Sequence, residues 1–376
     1  MRYPALLSIN EILPQLQQFD AIIDVRSPTE FAEDHLPGAI NCPVLDNAQR
    51  AQVGTLYRQA GAFEAKKLGA ALVAKNIARH VEERFLAFPQ TWQPLVYCWR
   101  GGNRSGAMAH ILARIGWPVT QLEGGYKAFR GAVNAQLAEL PHALHFHVLC
   151  GLTGTGKSRL LRVLAAQGAQ VLDLEALAAH RGSVLGDLPA DPQPTQKMFE
   201  SRVWALLRAA DPGRPVFVEA ESKKVGKLRV PDALMDRMRA SPCTMIDLPI
   251  AERVRLLMQE YAHFVADPLQ LNMQLDFLTP LHGREKIAQW HALALTEGRM
   301  PELVEDLLRT HYDPGYLQSI RRNFGRFEQA DTLVLPDISD AAFEAAAARL
   351  TQTAAPCRSD ALPAPSAFPS ARKIES

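Results

Sequence analysis

The first 140 residues alternate between short apolar runs and segments with helical spacing. Each apolar run stops at charged or glycine-containing turn residues, which indicates strands at 21–25, 95–97 and 119–122. Apolar residues in 105–115 recur every three or four positions, and Gly116 followed by Pro118 marks the end of that helix. Strands that alternate with helices predict an open parallel α/β sheet, whose ligands bind at the carboxyl ends of the strands.

The same alternation returns after residue 145. Apolar runs predict strands at 147–150, 170–173, 215–219 and 244–247. A helix is predicted at 159–167, and 250–326 has a mostly helical pattern. The break in periodicity at 137–145 indicates a linker, and alanine, proline and serine dominate from 352 onward. The predicted organisation is therefore an N-terminal α/β domain (1–136), a linker (137–145), a second α/β domain with a helical C-terminal part (146–351) and a disordered tail (352–376).

Composition narrows the class of protein. Hydrophobic residues make up 47% of the 376 positions, charged residues make up 22%, and the net charge is +1, which excludes a uniformly basic nucleic-acid binder. The five cysteines form no C-x-x-C pair, so neither a zinc site nor a disulfide framework is expected. With no signal-peptide pattern and no apolar run of about 18 residues, we expect a cytoplasmic protein without a membrane span.

One candidate for chemistry is the loop CWRGGNRS at 98–105, which follows a predicted strand and opens a helix. Successive backbone N–H groups and the helix dipole would hold an oxyanion there and lower the pKa of a thiol. We predict Cys98 as the nucleophile, Arg104 as a bidentate anion clamp and Arg100 as a second source of positive potential. A buried structural cysteine beside surface arginines is the alternative.

A second candidate is GLTGTGKS at 151–158, a complete phosphate loop between a predicted strand and a helix. The predicted phosphate-binding residues are Gly151, Gly154, Gly156, Lys157, Ser158 and Glu219. Lys157 would pair with terminal phosphates, and Ser158 would ligate Mg²⁺ if the reaction uses a metal. Glu219 ends a buried strand and could supply the acidic group of such a site, or it could be a surface carboxylate.

Two basic segments are candidate nucleic-acid contacts. Lys223, Lys224 and Lys227 follow Glu219, and Arg321, Arg322 and Arg326 are interleaved with aromatic residues. Alternatively, the lysine segment is an ordinary solvated loop and the arginine segment is the end of a helix. The HRGS stretch at 180–183 could contact a second substrate or be an ordinary loop, and Trp204 and Trp290 are predicted core residues.

The N-terminal half resembles the rhodanese family. The matching stretches are DVRSPTEF at 24–31, HLPGAIN at 35–41, the Cys98 loop and LEGGY at 122–126. The resemblance implies a rhodanese-like fold and a cysteine that carries sulfur or selenium. Asp34 stands where that family usually has glycine. Phosphatases with a C-x5-R loop share the scaffold, so the loop leaves phosphate-ester hydrolysis open.

The order of the two domains is similar to that of the tRNA 2-selenouridine synthase family, over roughly 5–350. Further matching stretches are DLE at 173–175, HRGS at 180–183, QKMFESR at 196–202, FVEAESKKVG at 217–226 and HYDPGY at 311–316. The resemblance implies S-geranylation of a wobble 2-thiouridine in tRNA by geranyl diphosphate. Selenium from selenophosphate would then replace the activated sulfur.

The same resemblance implies two co-substrates, geranyl diphosphate and selenophosphate, and no tightly bound cofactor. The enzyme that makes selenophosphate is a candidate partner, and the oligomeric state stays open. Two other functions are compatible with the motifs. One is a P-loop kinase or ATPase with a regulatory rhodanese or phosphatase-like module, and the other is a non-catalytic RNA- or anion-binding protein.

Overall fold

The N-terminal half is built on one parallel sheet. The computed structural model of the chain describes residues 3–183, 186 and 191–354. Its first strands are β1 (Ala5–Leu7), β2 (Ala21–Asp24), β3 (Ala39–Asn41), β4 (Pro94–Tyr97) and β5 (Thr120–Leu122). They pair in the order β1-β5-β4-β2-β3, all parallel, as the alternating pattern predicts. Because β4 is central, its carboxyl end places Cys98 at the middle of the sheet edge.

Helices connect and cover these strands. They are α1 (Ile9–Ile12), α2 (Pro28–Glu33), α3 (Asn47–Ala60), α4 (Ala62–His80), α5 (Asn103–Ile115) and α6 (Gly125–Ala143). Helix α5 ends at Gly116, which adopts a φ of 123° as the C-cap. The segment 137–145 was expected to be a linker, yet α6 continues through it to Ala143 with Pro141 inside the helix. Leu137 and Leu144 are buried, so this segment contributes to the core and is not an extended connection.

The second half is built on another parallel sheet. Its strands are β6 (Phe146–Cys150), β7 (Gln170–Leu172), β8 (Val216–Glu219), β9 (Lys224–Val225), β10 (Leu228–Arg229), β11 (Cys243–Asp247) and β12 (Asp331–Val334). Five of them form the sheet β12-β11-β6-β8-β7, while β9 and β10 make a small antiparallel hairpin. The carboxyl ends of β6, β7 and β8 therefore lie side by side.

Eleven helices of the described chain accompany this sheet. They are α7 (Lys157–Ala166), α8 (Leu174–Ala178), α9 (Gln196–Ala209), α10 (Asp232–Arg239), α11 (Ile250–Glu260), α12 (Ala262–Ala266), α13 (Pro268–Leu275), α14 (Thr279–Leu295), α15 (Met300–Leu307), α16 (Asp313–Asn323) and α17 (Asp340–Thr353). Helices α12 to α15 enclose a separate apolar core that contains Trp290. Helix α17 extends to Thr353, so the first two residues of the predicted tail are helical. Ala354 follows the helix, and the rest of the tail, 355–376, lies outside the described residues.

The two halves share one apolar core. Trp204 on α9 is almost fully buried, and its ring meets Phe129 of α6 edge-on with a centroid distance of 5.4 Å. Its indole N–H donates to Gln136 Oε1 over 2.8 Å. Trp204 and Trp290 are both core residues, as predicted. A continuous core of this kind fixes the second half against α6.

Asp34 lies at the polar part of the same boundary. Its Oδ2 accepts hydrogen bonds from Tyr126 (2.9 Å) in the first half and from Ser201 (3.1 Å) in the second. Lys197 also forms an ion pair with Glu33 over 2.6 Å. The departure from glycine at position 34 thus gives this chain a fully buried carboxylate that joins its two halves.

Within the described residues, none of the helices combines the length and apolar character needed to cross a membrane.

Candidate active site

Cys98 lies where β4 ends and the loop to α5 begins. Its side chain is buried, and Ser105 donates a hydrogen bond to its sulfur over 3.2 Å. Gln121 donates to the Ser105 hydroxyl (3.1 Å) and to the Gly101 carbonyl (2.8 Å). This chain of donors, from Gln121 to Ser105 to sulfur, holds the Ser105 hydroxyl against Cys98.

The backbone of the Cys98 loop packs directly on the glycine pair that follows β5. Gly101 and Gly125 have φ angles of 65° and 57°. A Cβ on Gly125 would lie 2.2 Å from the Cys98 carbonyl oxygen, and one on Gly101 would lie 2.6 Å from the Leu122 carbonyl. Only glycine fits both the conformation and the space, so the GGY stretch fixes the loop in place.

The two loop arginines have different surroundings. Arg104 donates to both carboxylate oxygens of Glu30 on α2, over 2.8 and 3.2 Å. Burial opposes ionisation of Glu30, but its hydrogen bonds and charge contact with Arg104 lower its pKa to about 2. The anion clamp expected of Arg104 is therefore occupied by Glu30 in this structure. Arg100 is exposed beside the loop and could meet an incoming anion.

The phosphate loop joins β6 to α7, as its motif predicts. Lys157 Nζ donates to the Gly151 carbonyl over 2.7 Å, so the amine folds back across the loop. The Gly151 N–H donates to the hydroxyl oxygen of Tyr316 over 3.0 Å. A Cβ on Gly154 would lie 2.9 Å from Leu257, and one on Gly156 would lie 2.6 Å from Phe343. The helical part thus packs tightly against the loop.

Arg253 on α11 fixes the loop to α16. Its Nε donates to the Thr153 carbonyl over 2.9 Å, and its two terminal nitrogens donate to Asp313 over 3.0 and 2.6 Å. Arg253 is only 3% exposed, so this ion pair is largely shielded from water. The position of α16, including Tyr316, is therefore coupled to the shape of the phosphate loop.

Three glutamates converge beside Ser158. The Ser158 hydroxyl has oxygens of Glu175 and Glu219 at 2.9 and 3.2 Å, and one ligand oxygen from each of Glu175, Glu219 and Glu221 lies within 4.8 Å of the others. Burial raises the pKa of Glu221 to about 8, helped by the charge of Glu175. Burial and the neighbouring carboxylates also hold the pKa of Glu219 well above its usual range.

This oxygen-only set fits a hard divalent cation. Mg²⁺ prefers carboxylate and hydroxyl oxygens, and a cation would relieve the mutual repulsion that raises these pKa values. Glu219 is fully buried and faces Ser158, so it is not a surface carboxylate.

A cleft of about 390 Å³ opens over the loop and the glutamates. Arg181 lines it together with Lys157, so two strongly basic side chains face the same space. Gly182 and Ser183 of the HRGS stretch also lie on its wall. This position favours contact with a substrate over an ordinary loop for that stretch. The described lining residues all fall between Thr153 and Phe324. The Cys98 loop is therefore not part of this cleft.

The two basic segments reach the rim of the cleft. Two residues of the cleft wall are neighbours of these segments in sequence. Ser222 directly precedes Lys223, and Asn323 directly follows Arg322. All six predicted basic residues are exposed. Lys223 pairs with Asp232 over 2.9 Å and Arg321 approaches Glu328 at 3.5 Å, so these two charges are partly balanced within the chain.

Five residues of the two loops' surroundings were not predicted from the sequence to take part in a site. They are Glu30, Gln121, Glu175, Glu221 and Tyr316. Glu175 could have been found, because it follows β7 at the same sheet edge as the phosphate loop. Glu221 lies two residues beyond Glu219. Gln121 and Tyr316 carry no local signal, since their partners are 16 and 165 residues away in sequence.

Comparison with known proteins agrees with this architecture. The model of the rhodanese-like domain matches residues 10–132, and the model of the tRNA 2-selenouridine synthase AAA domain matches residues 144–277. A solved structure, the N-terminal domain of a putative ATP/GTP binding protein from Clostridium difficile 630, is 35% identical, covers 34% of this chain and 98% of its own, and has a TM-score of 0.30.

Curated relatives extend across both domains. The tRNA 2-selenouridine synthase of Nitrosomonas europaea is 33% identical over 82% of this chain and 78% of its own length. That of Sulfurovum sp. is 31% identical over 84% of this chain and 95% of its own. On the two matching domain models and these similarities over more than four fifths of its length, the chain belongs to the tRNA 2-selenouridine synthase family.

Proposed function

We propose that this protein converts 2-thiouridine at the wobble position of tRNA into 2-selenouridine in two steps, geranylation and selenium insertion. One observation supports the proposal: the molecule has two separate loops with sequences typical of anion binding, one with a thiol and one with a lysine beside an acidic oxygen cluster. Two chemically different anionic co-substrates, selenophosphate and geranyl diphosphate, match these two loops. Membership of the family supplies the tRNA substrate.

In the first step the thiocarbonyl sulfur forms a bond to C1 of geranyl diphosphate. The C1–O bond breaks, and the diphosphate leaves with its electron pair. Lys157, Arg181 and the loop N–H groups would stabilise the charge that develops on the leaving oxygen. Ser158 and the three glutamates would hold Mg²⁺, which when bound supplies further positive charge to the diphosphate.

In the second step selenium adds to C2 of the geranylated base. The C2–S bond then breaks, and geranylthiolate departs with its electron pair and takes up a proton. Water attacks phosphorus, and the Se–P bond breaks to leave selenium on C2 and release phosphate. Alkylation of the sulfur makes the C2–S cleavage possible, because an alkylated sulfur can leave as a thiolate. The sulfur of an unmodified thiocarbonyl is a poor leaving group. The Cys98 loop would hold selenophosphate by its backbone N–H groups, with the Cys98 thiol beside it and Arg100 adding positive potential.

The test is reconstitution with purified protein and thiolated tRNA. With geranyl diphosphate alone we expect S-geranyl-2-thiouridine, and with selenophosphate added we expect 2-selenouridine, both read by mass spectrometry of nucleosides. Omission of geranyl diphosphate should abolish the selenium product. Selenium insertion at an undiminished rate without it would refute the two-step scheme.

The kinase or ATPase alternative is tested in the same mixture. ATP or GTP replaces geranyl diphosphate, and released phosphate is measured with and without tRNA. Nucleotide hydrolysis that proceeds without tRNA, together with no prenylated product in the parallel mixture that contains geranyl diphosphate, would favour that alternative.

A further inference from the structure

An apolar pocket adjoins the phosphate cleft. The two cavities share the wall residues Thr153, Ser183, Leu257, Tyr261 and Tyr312. Leu257 also packs directly against Gly154 of the phosphate loop, where an added Cβ would lie 2.9 Å from its side chain. The entrance to the apolar pocket is therefore immediately beside the site for a diphosphate.

The deeper wall of this pocket is apolar. Phe264, Leu271, Met300, Leu303 and Leu307 line it and belong to the separate core of α12 to α15. Each of the five is at most 8% exposed, so this wall is part of the packed interior. An unfilled apolar cavity weakens the packing of its lining, and an apolar ligand would restore those contacts.

This arrangement discriminates between two kinds of ligand. A nucleoside attached to the phosphates would carry ring nitrogens and ribose hydroxyls, which need polar partners when buried. Beyond the shared wall, the described lining residues offer only hydrocarbon side chains and the methionine thioethers. A hydrocarbon chain attached to the phosphates needs no such partners and gains free energy from the burial.

We propose that this pocket binds the hydrocarbon chain of a prenyl diphosphate whose diphosphate lies on the phosphate loop. The inference rests on the proposed function and adds the location of the chain. Tyr261 and Tyr312 stand at the boundary of the two cavities, where C1 of the chain would lie. The Arg181 guanidinium lies over the Tyr261 ring, 4.5 Å from its centroid, so a cation already stands at the diphosphate end of this boundary.

The experiment compares geranyl diphosphate with inorganic pyrophosphate as ligands of the full chain in the presence of Mg²⁺. Wild-type protein should bind geranyl diphosphate more tightly than pyrophosphate. Leu271→Trp would fill the pocket and weaken geranyl diphosphate binding by about tenfold, since a few buried methylene contacts are lost. Its affinity for pyrophosphate should change less than about twofold, because the phosphate loop is untouched.

A second variant covers the risk that the first one misfolds. Val304 also lines the pocket but is only half-buried, so Val304→Phe would narrow the pocket with less strain on the core.

Leu303→Ala should have the opposite effect: it would enlarge the pocket and shift the ratio of farnesyl to geranyl transfer toward the longer chain. Leu275→Ala is the matched control, because Leu275 is fully buried in the same core but does not line the pocket.

The outcomes separate this inference from the proposed function. If wild-type protein transfers geranyl but the Leu271, Val304 and Leu303 variants keep wild-type affinities and chain-length ratios, the chain binds elsewhere and the inference is wrong. Equal effects of Leu303→Ala and Leu275→Ala on the ratio would also overturn it. If wild-type protein binds pyrophosphate yet neither binds nor transfers geranyl, the proposed function fails together with this inference.

Discussion

Cys98 and Lys157 lie in different loops, so under the proposed function their substitutions should stop different steps. Cys98 faces Ser105 at the end of β4, and Lys157 crosses the phosphate loop at the end of β6. The described wall of the phosphate cleft contains no residue of the Cys98 loop. At the scale of single residues, the two steps are therefore separable by mutation.

Cys98→Ser should abolish selenium insertion and leave geranylation intact, because only the second step needs a chalcogen-handling thiol. Geranylated tRNA should accumulate when both co-substrates are supplied, as followed by mass spectrometry of nucleosides. Cys42→Ser is the matched control, since Cys42 is a buried free thiol of the same apolar cluster but lies outside the loop. Wild-type production of 2-selenouridine by the Cys98 variant would contradict the assigned role.

Lys157→Ala should slow geranyl transfer by about 10²–10³-fold, the usual cost of one lost charge-stabilising group. The initial rate of geranylated tRNA formation is the measurement. Lys67→Ala serves as the control, because Lys67 is a half-exposed lysine of α4 paired only locally with Glu64. An unchanged rate in the Lys157 variant would move the diphosphate site away from this loop.

At the scale of elements, the Arg104–Glu30 ion pair joins α5 to α2 and so holds the Cys98 loop. Burial of Glu30 opposes its ionisation, yet its ion pair with Arg104 and its hydrogen bonds from Ser27 together lower its pKa from 4.5 to about 2. A carboxyl group whose pKa falls on folding contributes stability above its unfolded pKa and loses that contribution as the pH drops. The contribution of this pair should thus be complete above about pH 5 and fade between pH 4.5 and 2.

Glu30→Gln should therefore reduce the free energy of unfolding at pH 7, with the difference from wild type shrinking toward pH 3. Urea unfolding at pH 7, 5 and 3.5 measures it. Because Arg104 acts here through Glu30, we expect Glu30→Gln, Arg104→Gln and the double variant to slow selenium insertion to a similar extent. A far larger loss for Arg104→Gln alone would mean that Arg104 contacts the selenium donor itself.

At the scale of the whole molecule, tRNA binding should depend on the two basic segments at the rim of the phosphate cleft. Lys223 and Arg321 are partly balanced by Asp232 and Glu328. We therefore expect each triple alanine variant, of Lys223, Lys224 and Lys227 or of Arg321, Arg322 and Arg326, to lose about two phosphate contacts. Each lost contact should reduce the slope of log affinity against log salt by about 0.7–0.9.

The measurement is tRNA affinity from low to high salt for both triple variants. Lys66, Lys67 and Lys75, three exposed lysines of α4, provide a control triple in the first half. If the rim variants keep the wild-type affinity and slope while the control variant loses them, tRNA is held by the N-terminal half.

The sequence by itself determined that both halves are α/β, three strands of the first sheet and four of the second, the positions of Cys98 and Lys157 at strand ends, and the helical C-terminal part. These features follow from local periodicity and from glycine-rich turns whose conformation few other residues adopt. The sequence did not reveal β1, β3 or β12. The end of helix α6 was not predicted, because the break in periodicity at 137–145 indicates a linker. In the structure this segment is helical to Ala143, and Leu137 and Leu144 pack into the core.

Only the tertiary structure decided what surrounds those reactive residues. Glu30 reaches Arg104 across 74 positions, and Tyr316 reaches Gly151 across 165, so no local pattern could have paired them. The convergence of Glu175 and Glu221 on Ser158 depends on the order of β6, β8 and β7 in the sheet. The apolar pocket likewise exists only because α11 to α15 fold back beside the phosphate loop. Long-range packing, which sequence periodicity does not encode, sets the chemistry of both sites.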